Sequence, residues 1–230
     1  MKLHRFIGDY NLVSDQVEIT DIQVLKQMKN VLRLKIGEQI LLCDREGNEV
    51  LAKIIAFVKA GVSLRVLEKM ENKNEPLRRV TLYCAVLKRE NFELVCQKAT
   101  EIGVKEIVPV ITKRTVKLNL NLERLQKIMK EAAEQSGRQI VPVLHEPVEF
   151  GEAIEHARKN EVNYFFDIDG SAFVETLTGT AGLFIGAEGG WDDSEVKAVK
   201  KAGFQITTLG KLTLRAETAA LVASYLVIGQ

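Results

Sequence analysis

The rhythm of apolar and polar positions changes once along the chain, near residue 75. Before that point it is mostly two-residue. "EVLAKIIAFVKAGVSLRVLEKM" (49–70) alternates in two short runs around Ala60 and Gly61, the pattern of half-buried strands. "EQILLCDREGNEVLAKI" (38–54) predicts a hairpin with Asp44 to Asn48 as its turn. One stretch breaks the alternation. In "DIQVLKQMKNVLRL" (21–34), Val24, Leu25, Met28, Val31 and Leu32 recur at helical spacing. A small β-barrel-like unit with one helix accounts for these signals. "EKMENKNEPLRR" (68–79) is polar, holds Pro76 and reads as a linker.

Beyond the linker, apolar runs alternate with helical patterns. "VTLYCAVLK", "EIVPVIT", "IVPVLHEP", "VNYFFDID", "GLFIGAEGG" and "FQITTLG" predict strands. "NFELVCQKATEIG", "NLERLQKIMKEAAEQSGR", "FGEAIEHARKN", "DDSEVKAVKKAG" and a last segment from about Ala216 predict helices. Several strand candidates are continuously apolar, so a parallel sheet covered on both faces is expected. The domains are drawn at 1–72 and 73–230.

The totals change this picture little. The chain has 230 residues, 46% hydrophobic and 27% charged, which is ordinary for a globular protein. No apolar run approaches a membrane span, and "MKLHRFIGDY" lacks a signal-peptide core, so a cytoplasmic location is expected. Cys43, Cys84 and Cys96 form no CxxC pair, and His4, His145 and His156 are scattered, so neither a disulfide framework nor a metal is expected. The net charge of +1 hides a gradient: residues 73–150 carry 14 basic and 10 acidic groups, residues 151–230 carry 7 and 11. A basic middle permits an RNA partner.

Ligands of open α/β sheets sit at the carboxyl ends of strands. Three late segments qualify: "DIDG" (167–170), "GAEGG" (186–190) and "TLGKLTLRAETA" (208–219). The last holds Arg215 and Glu217 at the start of a very apolar helix, where charge is costly unless paired or functional. There is no G-x-G-x-x-G after the first strand of the sheet and no G-x-x-x-x-G-K-[ST]. A nucleoside ligand without phosphates suits such loops better than a dinucleotide or triphosphate. S-adenosyl-L-methionine is one, and its positive sulfonium suits the acidic C-terminal third.

"LFIGAEGGW…SEVKAVKKAGFQITTLGKLTLRAETA" resembles the C-terminal signature of the SPOUT-class RNA methyltransferases. More narrowly it resembles the bacterial 16S ribosomal RNA uridine-N3 methyltransferase family. "HRF" (4–6), "VLRLKIGEQI" (31–40), "QKATEIGVKEIVPV" (97–110) and "EAAEQSGRQIVP" (131–142) extend the likeness over the whole chain. Ala187, Thr213 and Gln27 depart from the family's usual proline, aliphatic residue and histidine. The resemblance implies a SPOUT-type α/β domain with a trefoil knot, a PUA-like N-terminal β-domain, and a homodimer methylating uridine N3 of 16S rRNA or the small ribosomal subunit.

The cofactor pocket is then assigned to Phe166, Ile185, Gly186, Gly189, Gly190, Leu209, Gly210, Leu212, Leu214 and Ala219. Uracil N3 must lose its proton before it can attack. Arg215 is the candidate to hold the resulting anion. Glu217 or Glu188 is the candidate base, although either carboxylate would serve equally well to pin a loop. RNA phosphates are assigned to Arg5, Arg33, Lys88, Arg89, Lys98, Arg114 and Arg138. Two other readings stay open: an RNA-binding module that keeps the fold without catalysis, and a nucleotide-dependent α/β enzyme.

Overall fold

The structure is a computed structural model describing residues 3–44, 46–71, 73–116, 120–176 and 178–229. The chain divides into two compact units. The first is Met1–Glu75 with Ala133–Val141, and the second is Pro76–Ala132 with Pro142–Gln230. The sequence expectation of a single cut near 72 therefore misses one return of the chain to the first unit.

The first unit is a five-stranded sheet of β1 (His4–Ile7), β2 (Gln16–Ile19), β3 (Gln39–Cys43), β4 (Glu49–Val58) and β5 (Gly61–Met70), ordered β1-β3-β4-β5-β2. The β3–β4 hairpin turns where expected. Asp44 accepts hydrogen bonds from the backbone N–H groups of Glu46 and Asn48, the interaction that makes Asp a turn residue. The expected helix over 21–34 is shorter and less regular. Asp21 caps α1 (Ile22–Lys26), a wider helical turn follows over Gln27–Val31, and the chain reverses at Arg33. Arg33 has φ +53°, and Leu34 N–H closes back onto Met28 O at 2.9 Å. This is the left-handed stop that glycine usually supplies. The core gathers Phe6, Met28, Ile40, Leu42, Ile54 and Leu64.

The second unit holds seven strands, all in parallel pairs: β6 (Arg79–Ala85), β7 (Glu106–Ile111), β8 (Val143–Leu144), β9 (Val148–Glu149), β10 (Val162–Ala172), β11 (Thr180–Ile185) and β12 (Gln205–Thr208). Their order is β12-β10-β11-β6-β7-β8, with β9 also on β7. The expected strand in "IVPVLHEP" (140–147) is cut to the two residues of β8, bounded by Pro142 and Pro147, which cannot donate to the ladder, and pairing with β7 resumes only beyond the run in β9. β8 covers Glu106 and Ile107, β9 covers Val110 and Ile111, and Pro109 falls in the gap between them. The helices are α2 (Arg89–Ile102), α3 (Leu122–Ser136), α4 (Phe150–Ala157), α5 (Asp193–Lys201) and α6 (Ala216–Ile228). An aromatic cluster of Tyr83, Phe165, Phe184 and Trp191 fills the core. None of the helices is long and apolar enough to cross a membrane among the described residues.

Candidate functional site

β12, β10 and β11 are neighbours, so the segments that follow them meet at one rim of the sheet. There they enclose a cavity of about 880 Å³. "DIDG" differs from the expected loop. It is a bulge inside β10, which pairs with β12 up to Phe166 and again from Ser171. A Cβ at Gly170 would come within 2.5 Å of the Thr207 carbonyl carbon, so only glycine lets the two strands approach there. The bulge turns Asp167 and Asp169 onto the cavity wall.

The loop 186–190 forms a second wall. Gly190 has φ +71°, and its N–H returns to Ala187 O at 2.9 Å. Gly186 faces the indole of Trp191, whose Cε2 would lie 3.0 Å from an added Cβ. Trp191 stacks on Phe165 and donates its indole N–H to Phe166 O at 2.9 Å, fixing the floor. Arg114, after β7, donates to Gly189 O at 2.6 Å and lays its aliphatic stem over that glycine. Buried Glu195 holds this arrangement from below. Its carboxylate accepts from Asp192 N–H at 2.8 Å and from Lys113 N–H at 2.9 Å, tying the start of α5 to the segment after β7. The Ser194 hydroxyl and amide, with Lys113, hold the Asp192 carboxyl well below the usual carboxylate range.

Phe166, Ile185, Gly186, Gly189, Gly190, Leu209, Leu212, Leu214 and Ala219 all line the cavity, and Gly210 does not. Arg215 and Glu188 line it too. Glu217 lies elsewhere, buried in the first turn of α6 with one carboxylate oxygen lacking any hydrogen-bond partner. Burial pushes the Cys84 thiol up, and the charges of Cys96, Glu188 and Glu217 add to it, so this cysteine stays protonated and inert. Sequence reasoning missed Trp191 and the α5 residues Asp193, Val196, Lys197 and Lys200 on the wall. The signal was present: Asp192 and Glu195 form a capping box immediately after the glycine loop.

The basic residues separate into two groups. Arg138 is 3% exposed and paired with Glu75 at 3.0 Å, and Arg5 is 10% exposed and paired with Glu49 at 2.9 Å. Both guanidiniums are built into the first unit, so the expectation that they meet RNA phosphates is withdrawn. Arg33 and Lys88 are exposed, while Arg89 and Lys98 form surface pairs with Glu93 and Glu101. Such pairs are weak enough for a phosphate to compete.

The opposite, N-terminal rim of the same sheet carries a second polar cluster. His145 Nε2 lies 2.9 Å from Glu106 Oε2, and Lys159 Nζ lies 2.8 Å from the same oxygen. His156 Nδ1 meets the Tyr83 hydroxyl at 2.9 Å. Burial raises the Glu106 pKa, but hydrogen bonds from Lys159 and His145 outweigh it and leave the carboxyl below its usual range. Histidines scattered in sequence are thus neighbours in space.

Comparison with known proteins now decides the family. The RNA methyltransferase domain matches residues 73–228, and the RNA methyltransferase PUA domain matches residues 28–59. The ribosomal RNA small subunit methyltransferase E of Synechocystis sp. is 33% identical over 234 residues, covering 95% of this chain and 77% of that one. The chain belongs to the ribosomal RNA small subunit methyltransferase E family. The family member of Mesomycoplasma hyopneumoniae is 31% identical over 201 residues, 84% of this chain and 87% of its own. The structure of the family's Neisseria gonorrhoeae member bound to S-adenosyl methionine has a TM-score of 0.90 and 31% identity, covering 98% of this chain and 96% of that one. A methyltransferase of Legionella pneumophila, in complex with the same cofactor, has a TM-score of 0.88 and 28% identity over 98% and 97%.

Proposed function

We propose that this chain uses S-adenosyl-L-methionine to methylate N3 of a uridine in 16S rRNA of the small ribosomal subunit. The observation that carries the reading is the convergence of 167–170, 186–190 and 208–215 on one cavity with Arg215 on its wall. The residues present fit the donor. Ile185, Leu209, Leu214 and Ala219 supply apolar wall, and bare backbone at 186–190 offers hydrogen-bonding groups to an adenine edge. Asp167, Asp169, Glu188 and Asp193 are carboxylates that favour a positive group in the cavity. When bound, the donor supplies an activated methyl group.

The chain's own part is to hold the base and manage its proton. Glu188, on the cavity wall, is assigned to accept the N3 proton. As the proton leaves, negative charge spreads to the uracil carbonyl oxygens, and the planar fork of Arg215 receives it. Glu217, away from the cavity, is assigned to positioning α6. The target base must be unpaired or flipped to reach the donor. Arg33, Lys88, Arg89 and Lys98 supply phosphate contacts; Arg114, on the cavity wall, meets the RNA beside the target base.

The reading extends to the assembly and the fold. α6 packs on α2 and on β6 and β11, yet Leu94, Val222, Tyr225 and Leu226 of this helix pair remain exposed. Such an apolar patch suits an isologous homodimer. The C-terminal unit is read as a SPOUT-type trefoil knot, the first as a PUA-like RNA-binding domain, and the enzyme as cytoplasmic, where ribosomal subunits are made. The test is to incubate the protein and labelled donor with 16S rRNA and with small subunits, then map the methyl group. Methylation at a uridine N3 supports the reading. Donor binding without transfer on either substrate replaces it with an RNA-binding module.

A further inference from the structure

We propose that Glu106, His145 and His156 form a binding site for a divalent transition-metal ion, separate from the cofactor cavity. One ligand atom from each of the three lies within 4.8 Å of the other two. In a tetrahedral zinc site, bonds of ~2.0–2.1 Å put ligand atoms about 3.4 Å apart. The ligand atoms would have to close by about 1.4 Å at most. All three residues are partly exposed, so an ion has a path in, and two imidazoles with one carboxylate suit zinc or cobalt better than magnesium or calcium.

The hydrogen bonds of the cluster prepare the ligands. Lys159 Nζ lies 3.3 Å from His156 Nε2, and an ammonium can only donate. Nε2 therefore presents its lone pair to the cluster, and Nδ1 carries the proton, donated to the Tyr83 hydroxyl at 2.9 Å. Metal-bound histidines have the same arrangement, the outer nitrogen held by a hydrogen bond that fixes the ring. Asn160 donates to the same hydroxyl at 3.4 Å, and Tyr83 is fully buried, so the support is rigid. His145 donates from Nε2 to Glu106, so its ring must shift that proton to Nδ1, or release it, when the ion binds.

Lys159 occupies the place of the cation. It touches both oxygens of Glu106, at 2.8 and 3.0 Å, and His156, neutralising the site as a metal would. Its side chain is 44% exposed, so it can swing into solvent when an ion displaces it. Three protein ligands leave a fourth position for water or another ligand. The three ligands come from the start of β7, the segment after β8, and α4. An ion there staples α4 to the edge of the sheet.

The test uses the full chain without a histidine tag, titrated with CoCl2 by visible absorption and with ZnCl2 by calorimetry and thermal unfolding. One ion per chain is expected, with the d–d band of low-coordinate cobalt and a rise in Tm. His145→Ala and His156→Ala should each weaken binding at least tenfold, and Tyr83→Phe about 10- to 100-fold through the loss of outer support. Lys159→Met, an exposed change that should leave the fold intact, should tighten binding by removing the competing ammonium. Cobalt binding unchanged in both histidine variants, or no binding in wild type and Lys159→Met alike, overturns the proposal.

Discussion

The two rims of the second unit's sheet are built in opposite ways. At the C-terminal rim, chemistry comes from backbone and loops: Gly186, Gly189 and Gly190 leave the wall bare, and Arg215 and Glu188 share the lining with Asp167, Asp169, Asp193 and apolar residues. At the N-terminal rim, side chains satisfy one another: Glu106 is held by both His145 and Lys159, and His156 by Tyr83. The first is a cavity of about 880 Å³ walled largely by backbone and loops. The second is a closed polar network that at most exchanges one cation for another. Substitutions at the C-terminal rim should therefore act on binding and rate, and those at the N-terminal rim on stability.

The largest effect is expected from Gly190→Val. A β-branched residue resists φ +71°, and its Cβ would lie 3.8 Å from Arg114 Nη1, beside the guanidinium that holds the loop. Calorimetry with S-adenosyl-L-methionine should detect no binding, while circular dichroism shows a folded chain. Unchanged affinity would remove the glycine loop from the site and erase the contrast between the rims.

Arg215→Ala is next. Its guanidinium should interact more strongly with the transition state than with the ground state. Single-turnover methylation should slow about 100- to 1000-fold, with donor affinity kept. Arg215→Lys should recover little, because a point charge lacks the planar fork. Raising the pH should partly restore the Ala variant, since more of the base is then already deprotonated. A wild-type rate would end the catalytic assignment, and lost donor affinity would make Arg215 a loop-shaping residue instead.

At the N-terminal rim, Glu106→Ala should lower stability by roughly 1 kcal/mol, since Lys159 and His145 lose their acceptor while solvent screens much of the loss. Donor affinity should not move. Chemical denaturation and calorimetry on the same samples measure both. A change in donor affinity with no change in stability would show that the rims are coupled and the division is wrong.

The same contrast explains how much could be read from the sequence. The cavity at the C-terminal rim was legible because its parts are contiguous: "DIDG", "GAEGG" and "TLGKLTLRAETA" each carry their glycines and apolar flanks within about a dozen residues. The parallel order of β12, β10 and β11 then brings them together. Glu106 and His145 are separated by α3 and β8, His156 lies beyond β9, and the three follow no spacing rule, so only the fold could bring them together. Burial was also invisible. Arg138 sits just past the end of a polar helix in a stretch that looks solvated, yet Glu75 neutralises it inside the first unit. The wide turn after α1 was missed because Val31 and Leu32 keep helical spacing while the backbone already leaves the helix at Arg33.

That left-handed arginine supplies the smallest and most discriminating test. A residue with a Cβ loses about 1–2 kcal/mol in the αL region, and glycine avoids this while losing some entropy on folding. Arg33→Gly should therefore leave the first unit as stable as before, or stabilise it by up to about 1 kcal/mol. If the exposed guanidinium contacts phosphate, the same change should weaken RNA binding and reduce the salt slope by about one unit. Donor affinity and cobalt binding should both stay at wild-type values, since Arg33 belongs to neither rim. Filter binding over a range of salt, with denaturation alongside, separates the outcomes. A gain in stability with an unchanged salt slope would mean that the strained turn is only a helix stop and that RNA is held elsewhere.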